Sequence, residues 1–213
     1  MALDKISGLK SSIASWLART GDSNITGAIP DFITLAEARL NRVLRLRTQK
    51  QDAPLIGTPG SRYLDLPTDF REAIALYLTT FGDQWRLSPR MAGTLDLSDE
   101  AGTPVIWMVN GSRIELDIPC DRAHTFLFRY RSKFALNQDD PNATNWLLSE
   151  HPDAYLAASL VEAYSFMKAM DKASTWEGRL QQTLAEIGDE NDEAEGDVEL
   201  EIDPSLPRLN WYC

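Results

Sequence analysis

Cysteine and histidine are scarce in this chain of 213 residues, which contains two of each. Cys120 and Cys213 lie far apart, so we expect no disulfide framework and synthesis in a reducing compartment. His124 begins a predicted strand and His151 directly precedes Pro152. Neither histidine stands at zinc-ligand spacing from another histidine or cysteine, so we interpret both as structural.

Long apolar runs and catalytic signatures are also missing. The chain has no run of about eighteen apolar residues and no basic-then-apolar beginning, which predicts neither a membrane span nor a signal peptide. No glycine-rich phosphate loop follows a strand, and no Gly-x-Ser-x-Gly elbow is present. We therefore expect a non-enzymatic, soluble protein that needs neither a metal ion nor a cofactor.

Negative charge is concentrated near the end of the chain. The net charge is -11, with 32 acidic and 21 basic residues. Ten of the acids lie between Glu186 and Asp203, where no basic residue occurs, which leaves 22 acids against 21 bases elsewhere. The body is thus close to neutral, and the acidic block is typical of an extended interaction tail.

Helical spacing of apolar residues is clearest between residues 153 and 187. One stripe consists of Leu156, Leu160, Ala163, Tyr164 and Met167, and a second of Trp176, Leu180, Leu184 and Ile187. Pro152 suits a first helical position, and Gly188 is a candidate helix end. This helical hairpin is the predicted centre of the fold. Upstream, apolar periodicity predicts one helix over residues 3–20 and another that begins near Pro30 and Asp31.

Strand patterns occupy the middle of the sequence. Residues 52–61 contain two prolines and two glycines and are predicted to be a loop. Ala73–Phe81 is largely apolar, and Thr125–Tyr130 alternates aromatic and other residues. Asn110-Gly111 joins an apolar segment, residues 105–109, to residues 113–118, in which charged and apolar residues alternate strictly. It is a strong β-hairpin signal because both residues tolerate positive φ.

These patterns predict a mainly α protein. Its fold would be an antiparallel helical bundle interrupted by an inserted small antiparallel β-sheet of four or five strands, with an extended C-terminal arm. We expect a helical domain from residues 1–71 and 133–188, an inserted β domain from residues 72–132, and an acidic tether with a docking arm over residues 189–213.

Two stretches are candidates for interaction surfaces. The outer face of the second predicted helix and the residues after it are basic: Arg39, Arg42, Arg45, Arg47 and Lys50. This face is interpreted either as a solvated surface that pairs with acids of a neighbouring segment or subunit, or as a nucleic-acid-binding surface. The second stretch follows the acidic block and contains Ile202, Leu206, Leu209, Trp211 and Tyr212. It suggests a segment that docks on a partner, or one that folds back onto its own core.

Four segments together resemble a known family. They are residues 32–42 with Leu44-Arg45, Leu66–Phe70, Thr144–Leu148 and His151–Leu156. In this order and spacing, between about Asp31 and Ile187, they resemble the head-to-tail adaptor proteins (connector or head-completion proteins) of tailed bacteriophages, especially short-tailed ones.

The resemblance implies a structural role in the virion at the head–tail junction, after synthesis and assembly in the host cytoplasm. Such adaptors form a homo-oligomeric ring, usually of twelve copies, beneath the portal protein, and carry a tail or nozzle protein. Genomic DNA would pass through the channel without sequence-specific binding. The resemblance also implies that the C-terminal residues are the portal-docking arm, and that the five basic residues with Trp146 and Tyr155 line a subunit interface or the channel. The alternative is a nucleic-acid-binding protein that uses the basic helix face.

Overall fold

The computed structural model describes residues 3–79, 83–91, 93–94 and 97–196, without the side chains of residues 194–196. Within these residues the chain forms five α-helices and eight β-strands. The helices are α1 (Ile6–Trp16), α2 (Ser23–Val43), α3 (Trp146–Glu150), α4 (Pro152–Phe166) and α5 (Met170–Gly196). The strands are β1 (Lys50–Ile56), β2 (Tyr63–Asp65), β3 (Phe70–Leu78), β4 (Trp85–Arg86), β5 (Ser88–Pro89), β6 (Ile106–Asn110), β7 (Arg113–Leu116) and β8 (Thr125–Ser132). None of the described helices is long and apolar enough to cross a membrane.

Helix α4 lies at the centre of the helical part. Ten of its fifteen side chains are buried, and α1, α2, α3 and α5 pack around it. Small residues on α4, among them Ala154, Ala157 and Ala158, are buried and let neighbouring helices approach closely. The predicted start at Pro152 is confirmed, since proline lacks the N–H that would be unpaired at this position. The predicted hairpin of α4 and α5 is also confirmed.

Two helix boundaries differ from the sequence-based expectation. Helix α2 begins at Ser23, seven residues before Pro30, because the Asp22 carboxylate caps it by accepting hydrogen bonds from two backbone N–H groups. The predicted end of α5 at Gly188 is wrong, since the helix continues to Gly196. Glycine costs about 1 kcal/mol inside a helix, which weakens the helix without ending it.

The strands form two four-stranded sheets. The first has the order β1-β8-β3-β4 and is antiparallel throughout. The second has the order β2-β7-β6-β5, in which β5 runs parallel to β6. The predicted hairpin between β6 and β7 is confirmed, and Gly111 adopts the positive φ of 60° that its turn requires.

The two sheets share an apolar core that is separate from the core of the helical part. Strand β8 contributes Phe126, Phe128 and Tyr130, as its alternation predicted. Trp107 from the second sheet meets Phe128 edge to face, with ring centroids 6.0 Å apart. The protein is therefore built around two cores, one helical and one between sheets.

The predicted fold class, a mainly α bundle with one small antiparallel insertion, is wrong. The described residues hold two four-stranded sheets beside five helices, so the strand part is comparable in importance to the helical part. Strand β1 overlaps residues 52–61, whose prolines and glycines predict a loop. It is an edge strand, where Pro54 is tolerated because an N–H on the open side has no partner in the sheet.

Candidate assembly interface

A buried polar junction attaches the chain leaving β8 to helix α2. The Asn41 side chain donates to the carbonyl oxygen of Phe134 at 2.7 Å and accepts from the Phe134 N–H at 3.1 Å. One turn earlier on α2, the carboxylate of Glu37 accepts from the backbone N–H of Leu136 at 2.8 Å. These three bonds fix the helical part against the sheets, because they connect α2 to the segment that joins the two.

Tyr155 of α4 completes this junction. Its hydroxyl donates to Glu37 Oε1 at 3.0 Å and accepts from Asn145 Nδ2 at 2.7 Å. Asn145 also caps α3, since its side-chain oxygen accepts from the N–H of Leu148. Burial raises the pKa of Glu37, although the hydrogen bonds from Leu136 and Tyr155 lower it in part. Burial and the Glu37 charge raise the pKa of Tyr155, so the hydroxyl remains a donor.

A basic groove lies on the surface beside this junction. It is open to solvent and is lined by Ala38, Asn41, Arg42, Arg45, Arg71 and Lys133. Arg131 on β8 lies beside the groove, since it pairs with the same carboxylate, Glu72, as Arg45. Burial lowers the pKa of Arg71, and so do the charges of Arg45 and Arg131, whereas Glu72 raises it. We call these five basic residues the basic groove: Arg42, Arg45, Arg71, Arg131 and Lys133. They come from α2 and the segment after it, from β3, and from β8 and the residue after it, so the groove spans the boundary between the two parts of the protein.

Few carboxylates neutralise the basic groove. Glu72 pairs with both Arg45 and Arg131, at 3.4 Å in each case. The carboxylate of Asp69, near the groove edge, accepts from the hydroxyl of Tyr130 at 2.9 Å. The side chain of Arg131 is 20% exposed, and its buried Nε has no hydrogen-bond partner in the described part of the chain. The groove therefore keeps a local excess of positive charge.

The five predicted basic residues do not act as one surface. Arg39 pairs with Glu177 of α5, an intramolecular contact of the kind expected for a neighbouring segment. Arg42 and Arg45 line the groove. The backbone N–H of Arg47 donates to the side chain of Asn191 on α5 at 2.7 Å, and Lys50 begins β1 opposite Arg131.

The two aromatic residues predicted for the interface or channel lie in different surroundings. Trp146 is half-buried, with its ring edge against Phe134 at 5.5 Å between centroids. It also lines a small surface depression with Leu46 and Ile187. Tyr155 is fully buried in the protein core, so its side chain is not available to a neighbouring subunit or a channel. The predicted arm residues Ile202, Leu206, Leu209, Trp211 and Tyr212 lie outside the described residues.

Sequence reasoning missed three members of the basic groove: Arg71, Arg131 and Lys133. The sequence contains a signal for Arg131 and Lys133. Along β8 and the residue after it, Arg129, Arg131 and Lys133 occupy every second position, between the positions of Phe128 and Tyr130 and beyond. Period-2 alternation places such residues on the sheet face opposite the buried aromatic rings. Their approach to α2 depends on long-range packing, which no local pattern reveals.

Exposed apolar side chains occur on both the helical part and the sheet part of the protein. In the helical part, Trp16, Phe166 and Met170 are 52%, 59% and 60% exposed. These three residues stand at helix ends, since α1 ends at Trp16, α4 ends at Phe166 and α5 begins at Met170. The ends of α1 and α4 are close in space, because the Tyr164 hydroxyl donates to the carbonyl of Trp16. In the sheets, Trp85 and Val105 are 62% and 60% exposed beside a shallow groove. Such patches are typical of protein–protein contacts.

The charged residues of the described chain form no metal-binding group, since no three histidine, cysteine, aspartate or glutamate side chains come together there. His124 is buried and hydrogen-bonded to Asp121 at 2.7 Å, and Cys120 beside it is a buried free thiol whose pKa is raised by burial. The basic groove and the two exposed apolar patches are thus surfaces suited to contacts with other molecules.

Comparison with known proteins agrees with this description. The SU10 adaptor protein family matches residues 4–200. The chain therefore belongs to the SU10 adaptor protein family, a family of phage head-to-tail adaptors. Membership implies a structural part at the head–tail junction of a phage particle, with portal and tail proteins as partners. No curated protein matches the chain.

Proposed function

We propose that this chain assembles as a homo-oligomeric ring beneath the phage portal, extends the DNA channel and carries a tail or nozzle protein on its other side. The observation that carries the proposal is the family match over residues 4–200. On the family pattern the ring would contain twelve copies. The genome would pass through it without sequence-specific binding.

Two exposed apolar patches support a linking role. The patch of Trp16, Phe166 and Met170 lies on the helical part of the protein, and the patch of Trp85 and Val105 lies on the sheet part. A protein that joins two different partners needs two such surfaces on rigid elements. The polar junction of Glu37, Asn41 and Tyr155 would hold the two surfaces in a fixed relation.

We propose that the C-terminal residues Ile202, Leu206, Leu209, Trp211 and Tyr212 are the portal-docking arm. Apolar and aromatic side chains on a tether supply the anchor residues that dominate many interfaces. The body is close to neutral outside the acidic block, which suits a channel through which DNA must slide without being gripped.

The test is light scattering on the full chain, alone and mixed with the portal ring of the same phage. The full chain is expected to join the portal in a fixed, large stoichiometry. A chain that ends at Gly196, and a full chain with Trp211→Ser and Tyr212→Ser, are both expected to stay unbound. A full chain with Ile56→Ser and Met91→Ser is the matched control for removal of two apolar side chains outside the arm, since both side chains are exposed, and it should still bind. Equal binding by the arm variants would refute the arm, and no binding by any form would refute the portal partnership.

The alternative function, nucleic-acid binding, is favoured by one observation. Three further basic residues of the basic groove lie near Arg42 and Arg45. Duplex binding there should weaken steeply with added salt, and neutralising two of the arginines should reduce that slope. Absence of binding at moderate salt would remove this alternative.

A further inference from the structure

The basic groove has more positive charge than its own surroundings neutralise. Glu72 is the one carboxylate that pairs with its members in the described part of the chain, and Arg45 and Arg131 share it. Arg71 donates to the backbone carbonyl of Leu44. Concentrated positive charge beside a half-buried surface favours an anionic occupant.

The chain itself contains a segment of matching chemistry. Residues 197–203 read Asp-Val-Glu-Leu-Glu-Ile-Asp, in which acidic and apolar residues alternate strictly. In an extended chain, alternate side chains point to opposite sides and repeat about every 6.6 Å along each side. Such a chain places four carboxylates on one side and three apolar side chains on the other. A row of four carboxylates is complementary to a groove that is lined by four basic residues and has Arg131 beside it.

The position of α5 brings this segment close to the basic groove. The Asn191 side chain accepts from the backbone N–H of Arg47, which is two residues from Arg45. From Asn191, the helix continues for five residues to Gly196, a rise of about 7.5 Å. Seven extended residues then reach about 23 Å. The segment can therefore reach the groove of its own subunit without help from another copy.

We propose that residues 197–203 bind in the basic groove of their own subunit, with their carboxylates against Arg42, Arg45, Arg71, Arg131 and Lys133. The attachment acts as a strap across the boundary between the helices and the sheets. Ile202 is on the apolar side of the segment, away from the groove, where it remains available to the arm, and the residues after Asp203 depart from this point on the surface. The proposal concerns the isolated chain and does not depend on the adaptor ring.

The experiment uses full-length chains and a fluorescent peptide of residues 196–204. In one variant the segment is neutralised by Asp197→Asn, Glu199→Gln, Glu201→Gln and Asp203→Asn, which frees the groove. Fluorescence anisotropy should show that the peptide binds this variant at least about tenfold more tightly than the wild-type chain, because a tethered segment competes at a millimolar effective concentration. Binding should weaken as salt is added.

Charge reversal locates the binding surface. Adding Arg42→Glu and Lys133→Glu to the neutralised chain should abolish peptide binding, since both side chains are exposed members of the groove. The matched control is Arg90→Glu with Lys168→Glu, which changes the charge equally at exposed positions outside the groove. The control should bind the peptide within about twofold of its parent, because neither residue lines the groove and added salt screens more distant charges.

Three results would overturn the proposal. The first is that the peptide binds neither chain, or that both charge reversals weaken it equally. The second is that a labelled DNA duplex, but not the peptide, depends on the groove residues, which would assign the groove to nucleic acid. The third is that the wild-type chain binds the peptide more tightly when the chain is diluted. Dilution separates copies of the chain, so this result would show that the groove is occupied by the segment of a neighbouring copy.

Discussion

Replacing Tyr155 with phenylalanine should destabilise the protein more than its small change in shape suggests. The hydroxyl is buried, donates to Glu37 and accepts from Asn145. A hydrogen bond to a charged group contributes about 1.5–3 kcal/mol and a neutral one about 1 kcal/mol. Tyr155→Phe should therefore lower the free energy of unfolding by about 2–4 kcal/mol.

Tyr164→Phe on the same helix is the matched control. The Tyr164 hydroxyl makes one neutral hydrogen bond, to the backbone carbonyl of Trp16 at 3.2 Å. Its loss should cost about 1 kcal/mol. Urea unfolding followed by circular dichroism measures both variants against the wild-type protein. Equal losses in the two variants would refute the structural role assigned to the Tyr155 network.

The pH dependence provides a second test of the same network. Glu37 has a pKa raised by burial above its ordinary value of 4.5, and the Tyr155 hydrogen bond limits the rise. An acid with a raised folded-state pKa binds protons more readily in the native state, so stability falls as the pH rises from the ordinary pKa through the raised one. Tyr155→Phe extends this window upward. Its deficit should be largest at neutral pH and shrink below the ordinary pKa, whereas the deficit of Tyr164→Phe should not change with pH.

Three further substitutions test other contacts. Gly57→Ala should destabilise the sheets by about 1–3 kcal/mol, because a Cβ there would lie 2.8 Å from Cys120 Sγ. An unchanged urea midpoint would contradict this, because it would mean that the side chains around Gly57 move to accommodate the added methyl group. Arg39→Ala should cost about 0.5–1 kcal/mol, since its ion pair with Glu177 is partly exposed. That cost should be present above the ordinary pKa of Glu177 and vanish as the pH falls through its lowered value, and a cost that persists in acid would contradict the ion pair. Hydrogen bonds from Arg122 and His124 lower the pKa of the Asp121 carboxyl to about 2. Asp121→Asn should therefore lower stability above about pH 4, and this effect should disappear as the pH falls through about 2. Thermal unfolding across this range measures the effect, and an effect that does not change with pH would contradict the reasoning.

Local chemistry was sufficient to predict some elements. Pro152 marks the start of α4 because its effect is confined to one backbone position, and Gly111 marks the β6–β7 turn for the same reason. Strand β8 was predictable because Phe126, Phe128 and Tyr130 occupy every second position and all become buried.

Other features depend on contacts that local patterns do not contain. Pro54 indicated a loop, but pairing with β8 makes its segment an edge strand. Gly188 indicated a helix end, although the helix continues past it. Only part of the basic groove could be predicted from local patterns. Arg42 lies on a predicted helix face, whereas Arg71 and Lys133 come to the groove through the packing of sheet against helix.

The central claim is that this chain builds the junction between head and tail. Electron cryo-microscopy of the intact phage particle, with symmetry imposed only around the tail axis, tests it most directly. The expected result is a ring of copies of this two-core fold between the portal and the first tail protein, with C-terminal residues in contact with the portal. A junction ring made of a different chain, or this fold found elsewhere in the particle, would contradict the claim.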